Sequence, residues 1–544
     1  MQSIKLIIKN ITHKERVLLF VAGSILILAL IGIIALTIQT KGVMKPVRGG
    51  TFTEGIIGQP VMVNPVGAET VADKDLVALL YSPLSDLVNT IEVSPDRKQY
   101  AVKLKEDLLW SDGEHLTSDD VIFTIELIQK MGNDSPLYTE WQGVSVTRES
   151  ELQTVMTISQ PFTFFERNIQ TLRIIPRHIF GSIPPKNLRL SAYNFEPVGS
   201  GPYVVESIDK RKDGFITEYN LSENKLYAGT PPFIPNFSIK FFADMDALIH
   251  EAELRTIQGF GITNFVPDEV FSLPRIAIKA ISMPRYYALF FNQTNNPALQ
   301  NRELRNALNK AINKDRIIKD ILKEQGTRIE GPLLRQLAGI EKIPSTYEPE
   351  EAARVISATD NLTLAVVIPE IPILEAVAEK VREDWISAGV GEVNIYPLPI
   401  SDIQEVIKSR NYDVLLFGNT YKNTADLFPF WHSSFRFSPG MNLSLYKNSE
   451  VDKTLEDIRQ TKEITQTQID RLIKIDEQIM SDAPASFLFS MPYFYVHTTR
   501  MDGGFPDVMF DVSDRFLNVS SWNVNRVRVI GGDTSTTTED NTTN

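Results

Sequence analysis

Hydrophobic and polar positions along the chain change period repeatedly, and each change predicts an element. Residues 17–38 carry no charge and only Ser24 and Thr37 as hydroxyl side chains. As a helix this run is roughly 33 Å long, enough to cross a hydrocarbon core of about 30 Å. Residues 51–57 and 100–105 alternate inside and outside and predict half-exposed strands. Residues 75–87 have Leu76, Leu79, Leu80 and Leu84 at helical spacing, interrupted by Pro83. Leu108, Leu109 and Trp110 end an apolar run, and Ser111-Asp112-Gly113 supplies an Asx-type side chain and a glycine for a tight turn. Thr117-Ser118-Asp119-Asp120 then places a cap and first-turn carboxylates before Val121, Ile122, Ile125 and Ile128, the pattern of a helix start. Residues 304–318 predict one helix with Leu304, Leu308 and Ala311 on a stripe.

The second half alternates more regularly. Strands are predicted over 362–368, 393–396 and 412–418, with helices over 374–385 and 403–409 between them. That rhythm implies a largely parallel sheet. Helices over 451–458 and 469–480 precede an apolar stretch at 485–496. The threonine-rich tail, 531–544, has too few apolar residues to fold and is expected to be disordered.

Charge changes the picture at the N-terminus. Lys5, Lys9, Lys14 and Arg16 precede the apolar run, which favours a cytoplasmic N-terminus, and Lys41, Lys45 and Arg48 follow it. The run is longer than a secretory apolar region, and Thr37-Ile38-Gln39-Thr40 offers no small-x-small cleavage site. An uncleaved single-pass anchor is therefore expected, with a cleaved signal peptide as the alternative. Either way the chain beyond about residue 45 lies outside the cytoplasm. A net charge of −13 leaves no basic excess for a nucleic-acid partner. The absence of cysteine excludes disulfides, thiolate metal sites, a cysteine nucleophile and a lipid-modified cysteine anchor. Six scattered histidines form no ligand pair at metal-binding spacing. No His-Glu-x-x-His, Gly-x-Ser-x-Gly or Gly-x-x-x-x-Gly-Lys motif occurs. A carboxylate pair of the glycosidase kind needs no local signature, so motifs alone leave an exported hydrolase open.

Several stretches resemble one family in order and spacing. Trp110-Ser-Asp-Gly-Glu-His-Leu-Thr-Ser-Asp-Asp-Val is similar to a signature of the extracytoplasmic solute-binding proteins that serve dipeptide and oligopeptide ABC transporters. Pro197-Val-Gly-Ser-Gly-Pro-Tyr203, Asn224-Lys-Leu-Tyr-Ala-Gly229 and the helix from Arg305 to Arg316 also match that family, although the first taken alone is a structural turn. Ile257-Gln-Gly-Phe-Gly-Ile262 departs from it, lacking the acid of a Gly-x-x-Asp element. The resemblance implies an α/β, periplasmic-binding-protein-like fold: two lobes joined by a hinge plus an extra lobe, after one transmembrane helix.

The implied division is a cytoplasmic segment 1–16, an anchor 17–38 and a linker 39–50. A discontinuous first lobe would take 51–80, 198–290 and 501–530, the extra lobe 81–197, and the second lobe 291–500. The implied function is that of an anchored, monomeric binding component of an importer, with a peptide or similar small solute and ABC permease subunits as partners. It needs no cofactor, no metal and no catalysis. A transport-inactive receptor or chaperone-like protein on the same fold is the alternative. Family ligand contacts come partly from the loop after the second lobe's apolar strand. This points to Asn419, Tyr421, Asn423, Asp426 and Trp431. Either Asn423 or Asp426 would stand where an aspartate meets a peptide ammonium, and Asp426 equally suits a helix cap. Trp431, Tyr421 and Phe417 suit an apolar wall or core packing.

Overall fold

The computed structural model describes residues 12–529 apart from 42 and 360, so the tail at 531–544 lies outside the described residues. A helix over His13–Lys41 comes first. Its Val17, Leu18, Phe20, Ile25 and Leu28 are exposed, and it is long and apolar enough to cross a membrane.

Two large sheets organise the remainder. The seven-stranded sheet runs Ile276–Ile281, Tyr493–Thr498, Gly259–Ile262, Thr51–Ile57, Asn236–Phe242, Ile216–Glu223 and Tyr203–Lys210 in spatial order. Thr51–Ile57 lies parallel to both neighbours, Asn236–Phe242 and Gly259–Ile262. Sandwiched this way, its predicted alternation gives way to continuous burial from Glu54 to Ile56. The six-stranded sheet runs Thr327–Arg328, Ala485–Ser490, Arg285–Phe291, Val414–Thr420, Thr363–Pro369 and Glu392–Leu398. Only Thr363–Pro369 with Glu392–Leu398 and with Val414–Thr420 are parallel pairs; Arg285–Phe291 is antiparallel to both its neighbours. The sheet is thus mixed rather than largely parallel, because strands arriving from the other sheet enter against the βαβ direction.

A four-stranded antiparallel sheet, Val88–Val93, Gln99–Leu104, Gln153–Thr157 and Ser145–Arg148, builds the extra lobe with the Ser118–Met131 helix. That helix starts at the predicted cap: Thr117 and Asp120 form a reciprocal capping box. Buried Asp120 also accepts the Arg177 backbone N–H and lies 3.4 Å from the Trp110 indole nitrogen. Trp110 is fully buried. One apolar core runs through the extra lobe and most of the seven-stranded sheet, so these two pack as one body. The Gly199-Ser-Gly turn joins them. The Gly201 N–H donates to the Leu80 carbonyl at 2.9 Å, and a Cβ on Gly199 would stand 1.9 Å from that same oxygen.

The chain crosses between the large sheets at 282–284 and returns at 491–492. Arg285–Phe291 therefore belongs with the second lobe and Tyr493–Thr498 with the first, whereas the expected borders stood at 290 and 500. Strand pairing decides this, and pairing is non-local. Buried Arg285 fastens the crossing, donating to the Met491 and Pro492 carbonyls at 2.8 Å each and to the Thr263 carbonyl. The helix expected over 304–318 is also divided. Arg302–Lys310 ends, Asn313 caps a new turn by accepting the Arg316 N–H, and a wider turn follows over Ile317–Ile321. The break turns buried Lys314 onto buried Glu330.

Candidate functional site

A cavity of about 650 Å³ lies between the two sheets. One wall is the carboxyl ends of the parallel strands Thr51–Ile57 and Gly259–Ile262, namely Gly55, Ile56, Ile57, Gly261 and Ile262, continued by Thr263, Asn264 and Phe265. Opposite stand Ile371, Pro372 and Ile373, at the start of the Pro372–Ser387 helix and just beyond the strand Thr363–Pro369. Both lobes thus offer the carboxyl ends of parallel strands to one cleft, the position where open α/β sheets gather ligands. Val71, Met245 and Tyr493 complete a mainly apolar lining. The Gly259–Ile262 strand belongs to the element that lacks the acid. There Gly261 has no room for a side chain, since a Cβ would meet the Tyr493 hydroxyl at 1.6 Å.

Two charged groups line the cavity, Asp75 and Arg515. Asp75 falls on the buried face of Val71–Leu80, a helix started by a Thr70–Asp73 capping box. The Arg515 guanidinium donates to both Asp75 oxygens, at 2.8 and 2.5 Å, and twice to Glu54 Oε1, at 3.1 and 3.0 Å. The Tyr495 hydroxyl donates to Glu54 Oε2 at 2.6 Å. All three charged groups are essentially inaccessible to solvent. With both carboxylates ionised, two negative charges face one positive charge, a formal −1 at the cleft floor. Burial pushes the Glu54 carboxyl up to about 7 against the pull of Arg515, and raises Asp75 as well. Among the described residues no three metal-ligating side chains converge on a cation site.

The extra lobe also contacts the second lobe. Thr163 donates its backbone N–H to the Arg459 carbonyl at 2.8 Å, and its hydroxyl lies 2.7 to 3.1 Å from the Thr461, Arg459 and Ile458 carbonyls. These carbonyls lie at the end of the Ser449–Arg459 helix, where that of Ile458 also accepts the Thr461 N–H. Lys422 of the second lobe pairs with Glu140 of the extra lobe. The two bodies are thus joined at the Arg285 crossing and again through this contact.

The residues expected from the loop after Val414–Thr420 are engaged elsewhere, and none lines the cavity. Asp426 holds Arg459 in a bidentate pair at 2.9 and 2.6 Å. That arginine also stacks over Phe428 and faces Phe162 of the extra lobe. Asn423 accepts the Ala425 N–H, making a local turn. Tyr421 and Trp431 are buried in the second lobe's aromatic core, with the Tyr421 hydroxyl donating to the Pro332 carbonyl at 2.8 Å. Asn419 is buried and donates to the Tyr286 hydroxyl at 3.1 Å. The loop therefore supports the contact with the extra lobe through Asp426 and Lys422. Asp75 did leave a trace in the sequence, since it sits between Ala72 and Leu79 on an otherwise apolar helical face. Arg515 and Thr163 left none.

A family model described as bacterial extracellular solute-binding proteins, family 5 Middle, matches residues 82–439. The oligopeptide-binding protein AppA of Bacillus subtilis is 24% identical over 495 residues, covering 82% of this chain and 88% of its own. The ABC transporter substrate-binding protein CtaP of Listeria monocytogenes superposes with a TM-score of 0.76 at 22% identity, over 88% of this chain and all of that one. AppA in complex with a nonapeptide gives 0.70 at 21% identity, over 88% of this chain and 100% of that chain. At these identities the superpositions establish the fold alone.

Proposed function

The chain belongs to the bacterial extracellular solute-binding proteins of family 5, and from that membership we propose that it captures short peptides in the interlobe cleft and delivers them to the permease of an ABC importer. The observation that carries this reading is the convergence of strand ends from both lobes on one largely apolar cavity of about 650 Å³. That volume is in the range of small-ligand sites. The named relative AppA is an oligopeptide-binding protein, which supports a peptide as the ligand class.

A solute enters with the lobes apart, bends the crossing at Arg285 shut and is buried when Thr163 reaches the Ser449–Arg459 helix. The closed form then docks on the permease as a monomer. No bond is made or broken. Peptide amides meet strand-end backbone groups at Gly55–Ile57 and Thr263–Asn264, and apolar side chains lie on Ile262, Phe265 and Ile373. A buried ammonium needs a negative partner. Asp75 suits that role better than Asn423 or Asp426 because it lines the cavity and they do not; with both its oxygens held by Arg515 it acts through the net charge of the cluster, negative when Glu54 is ionised, rather than by direct contact. The His13–Lys41 helix serves as an uncleaved anchor, holding the binding body at the outer face of the membrane.

Calorimetry on the full chain in lipid nanodiscs tests this. Short apolar peptides should bind, and Asp75→Asn should weaken free-amine peptides about tenfold while sparing their N-acetylated forms. Equal loss for both forms sinks the Asp75 assignment. A wild-type chain that binds no peptide and carries none in native mass spectra sinks the peptide reading.

A further inference from the structure

The strand Val43–Pro46 begins two residues after the apolar helix ends at Lys41, and it pairs antiparallel with Arg526–Val529, the last strand described. The helix lies against that second strand. All eight ribbon residues are exposed. A lone two-stranded ribbon with no core beneath it is marginal in water, so something other than packing must favour this one. Only its first pair is wholly apolar, and each later pair holds one cation. The pair nearest the helix is Val43 with Val529, 53% and 36% exposed; next come Met44 with Arg528, Lys45 with Val527, and Pro46 with Arg526. No acid occurs among the eight, in a chain whose net charge is −13.

We propose that this ribbon stands in the headgroup layer of an anionic membrane. Val43 and Val529 stand at its inner side, while Lys45 and Arg528 lie among lipid phosphates. The proposal rests on the reading of His13–Lys41 as a membrane anchor. Depth and length agree. Four strand residues span roughly 13 Å, and each headgroup layer is about 5–8 Å thick. The anchor expected over 17–38 continues through Gln39, Thr40 and Lys41 for about 4.5 Å more, so the ribbon begins within the headgroup layer and emerges beyond the phosphates. Apolar residues deepest and cations above them match the polarity of that layer, and cations near an anionic surface add attraction.

The ribbon is also coupled stiffly to the binding body. Val47 N–H donates to the Asn525 carbonyl at 2.9 Å, Gly49 N–H donates to the Phe233 carbonyl at 2.7 Å, and Arg48 pairs with Glu223. Arg526 is braced by Asp502 at 3.1 Å. A ribbon seated in the headgroups would thus set the orientation of the cleft above the membrane, where a single flexible tether would leave it free to tumble.

The chain contains no cysteine, so single cysteines introduced at chosen positions carry a spin label without competition. The full chain is placed in nanodiscs of phosphatidylcholine, alone or with about one third phosphatidylglycerol. Accessibility to oxygen and to a nickel chelate is read at Val529→Cys, Val527→Cys, the anchor control Ile27→Cys and the exposed control Leu254→Cys. The expected order of shielding from nickel is Ile27, Val529, Val527, then Leu254. Reversing Lys45 and Arg528 to Glu should expose Val527 in the anionic discs, with about a fivefold loss of partitioning per cation, and change little in phosphatidylcholine. Ribbon labels as accessible as Leu254 with Ile27 still in lipid overturn the ribbon placement and leave the anchor standing. An accessible Ile27, with chains leaving the discs, overturns both. Shielding that appears only in discs holding two chains, with dipolar broadening, overturns the proposal in favour of ribbon-to-ribbon pairing.

Discussion

Glu54→Gln isolates the cost of holding an ion cluster beneath the cleft. Glu54 has no solvent exposure, shares Arg515 with Asp75 and accepts the Tyr495 hydroxyl. Burial raises its pKa from 4.5 to about 7. A carboxyl raised in the folded state keeps its proton there after the unfolded chain has lost it. Its contribution is therefore fully present below about pH 4.5 and is lost as pH rises through about 7. A shift of about 2.5 units corresponds to about 3 kcal/mol at most. Glutamine retains an oxygen for the Arg515 donors and cannot titrate. Urea unfolding of both proteins between pH 5 and 8, followed by tryptophan fluorescence, reads the effect. Trp522 packs 5.6 Å from Tyr495, ring to ring, and so reports on this lobe. Asp476, raised to about 6 by burial, loses stability with rising pH in the same sense, whereas His497, lowered by burial, gains. Both are present in each protein and cancel in the difference. The stability of Glu54→Gln relative to wild type should climb by about 2–3 kcal/mol from pH 5 to pH 8, with an unchanged m-value. A difference that stays constant over that range refutes the reasoning, because it would mean that Glu54 titrates alike in both states.

Other expectations follow from single contacts. Thr163→Val removes the hydroxyl that meets the end of the Ser449–Arg459 helix; a closed form weaker by about 1 kcal/mol should lower peptide affinity about fivefold by calorimetry, and unchanged affinity would remove this contact from the closing mechanism. Gly199→Ala drives a methyl group to within 1.9 Å of the Leu80 carbonyl. It should cost about 3 kcal/mol or more in urea unfolding, and a loss under about 0.5 kcal/mol would show that the turn can relax.

Sequence alone determined the features that depend on residues a few positions apart. Thr117 and Asp120 are three apart, so the helix start they form was legible from the string. Pro83 broke its helix as expected, with Val71–Leu80 and Leu84–Leu87 on either side. The apolar run before residue 39 marked a span-length helix because composition and length suffice for that. Ordered motifs were enough to identify the family and its fold.

The cleft is another matter. Arg515 meets Asp75 and Glu54 across 440 and 461 residues of chain, and no periodicity within a window connects positions so distant. The family resemblance offered the 417–431 loop, whose polar and aromatic residues looked available for a ligand. Tertiary structure gave Asp426 an arginine and Trp431 a core. The mixed six-stranded sheet arose in the same way, since a strand's period tells which face is buried but says nothing about which neighbour will hydrogen-bond to it. Local chemistry chose the elements. Strand partners hundreds of residues away decided which charges ended up beneath the cavity.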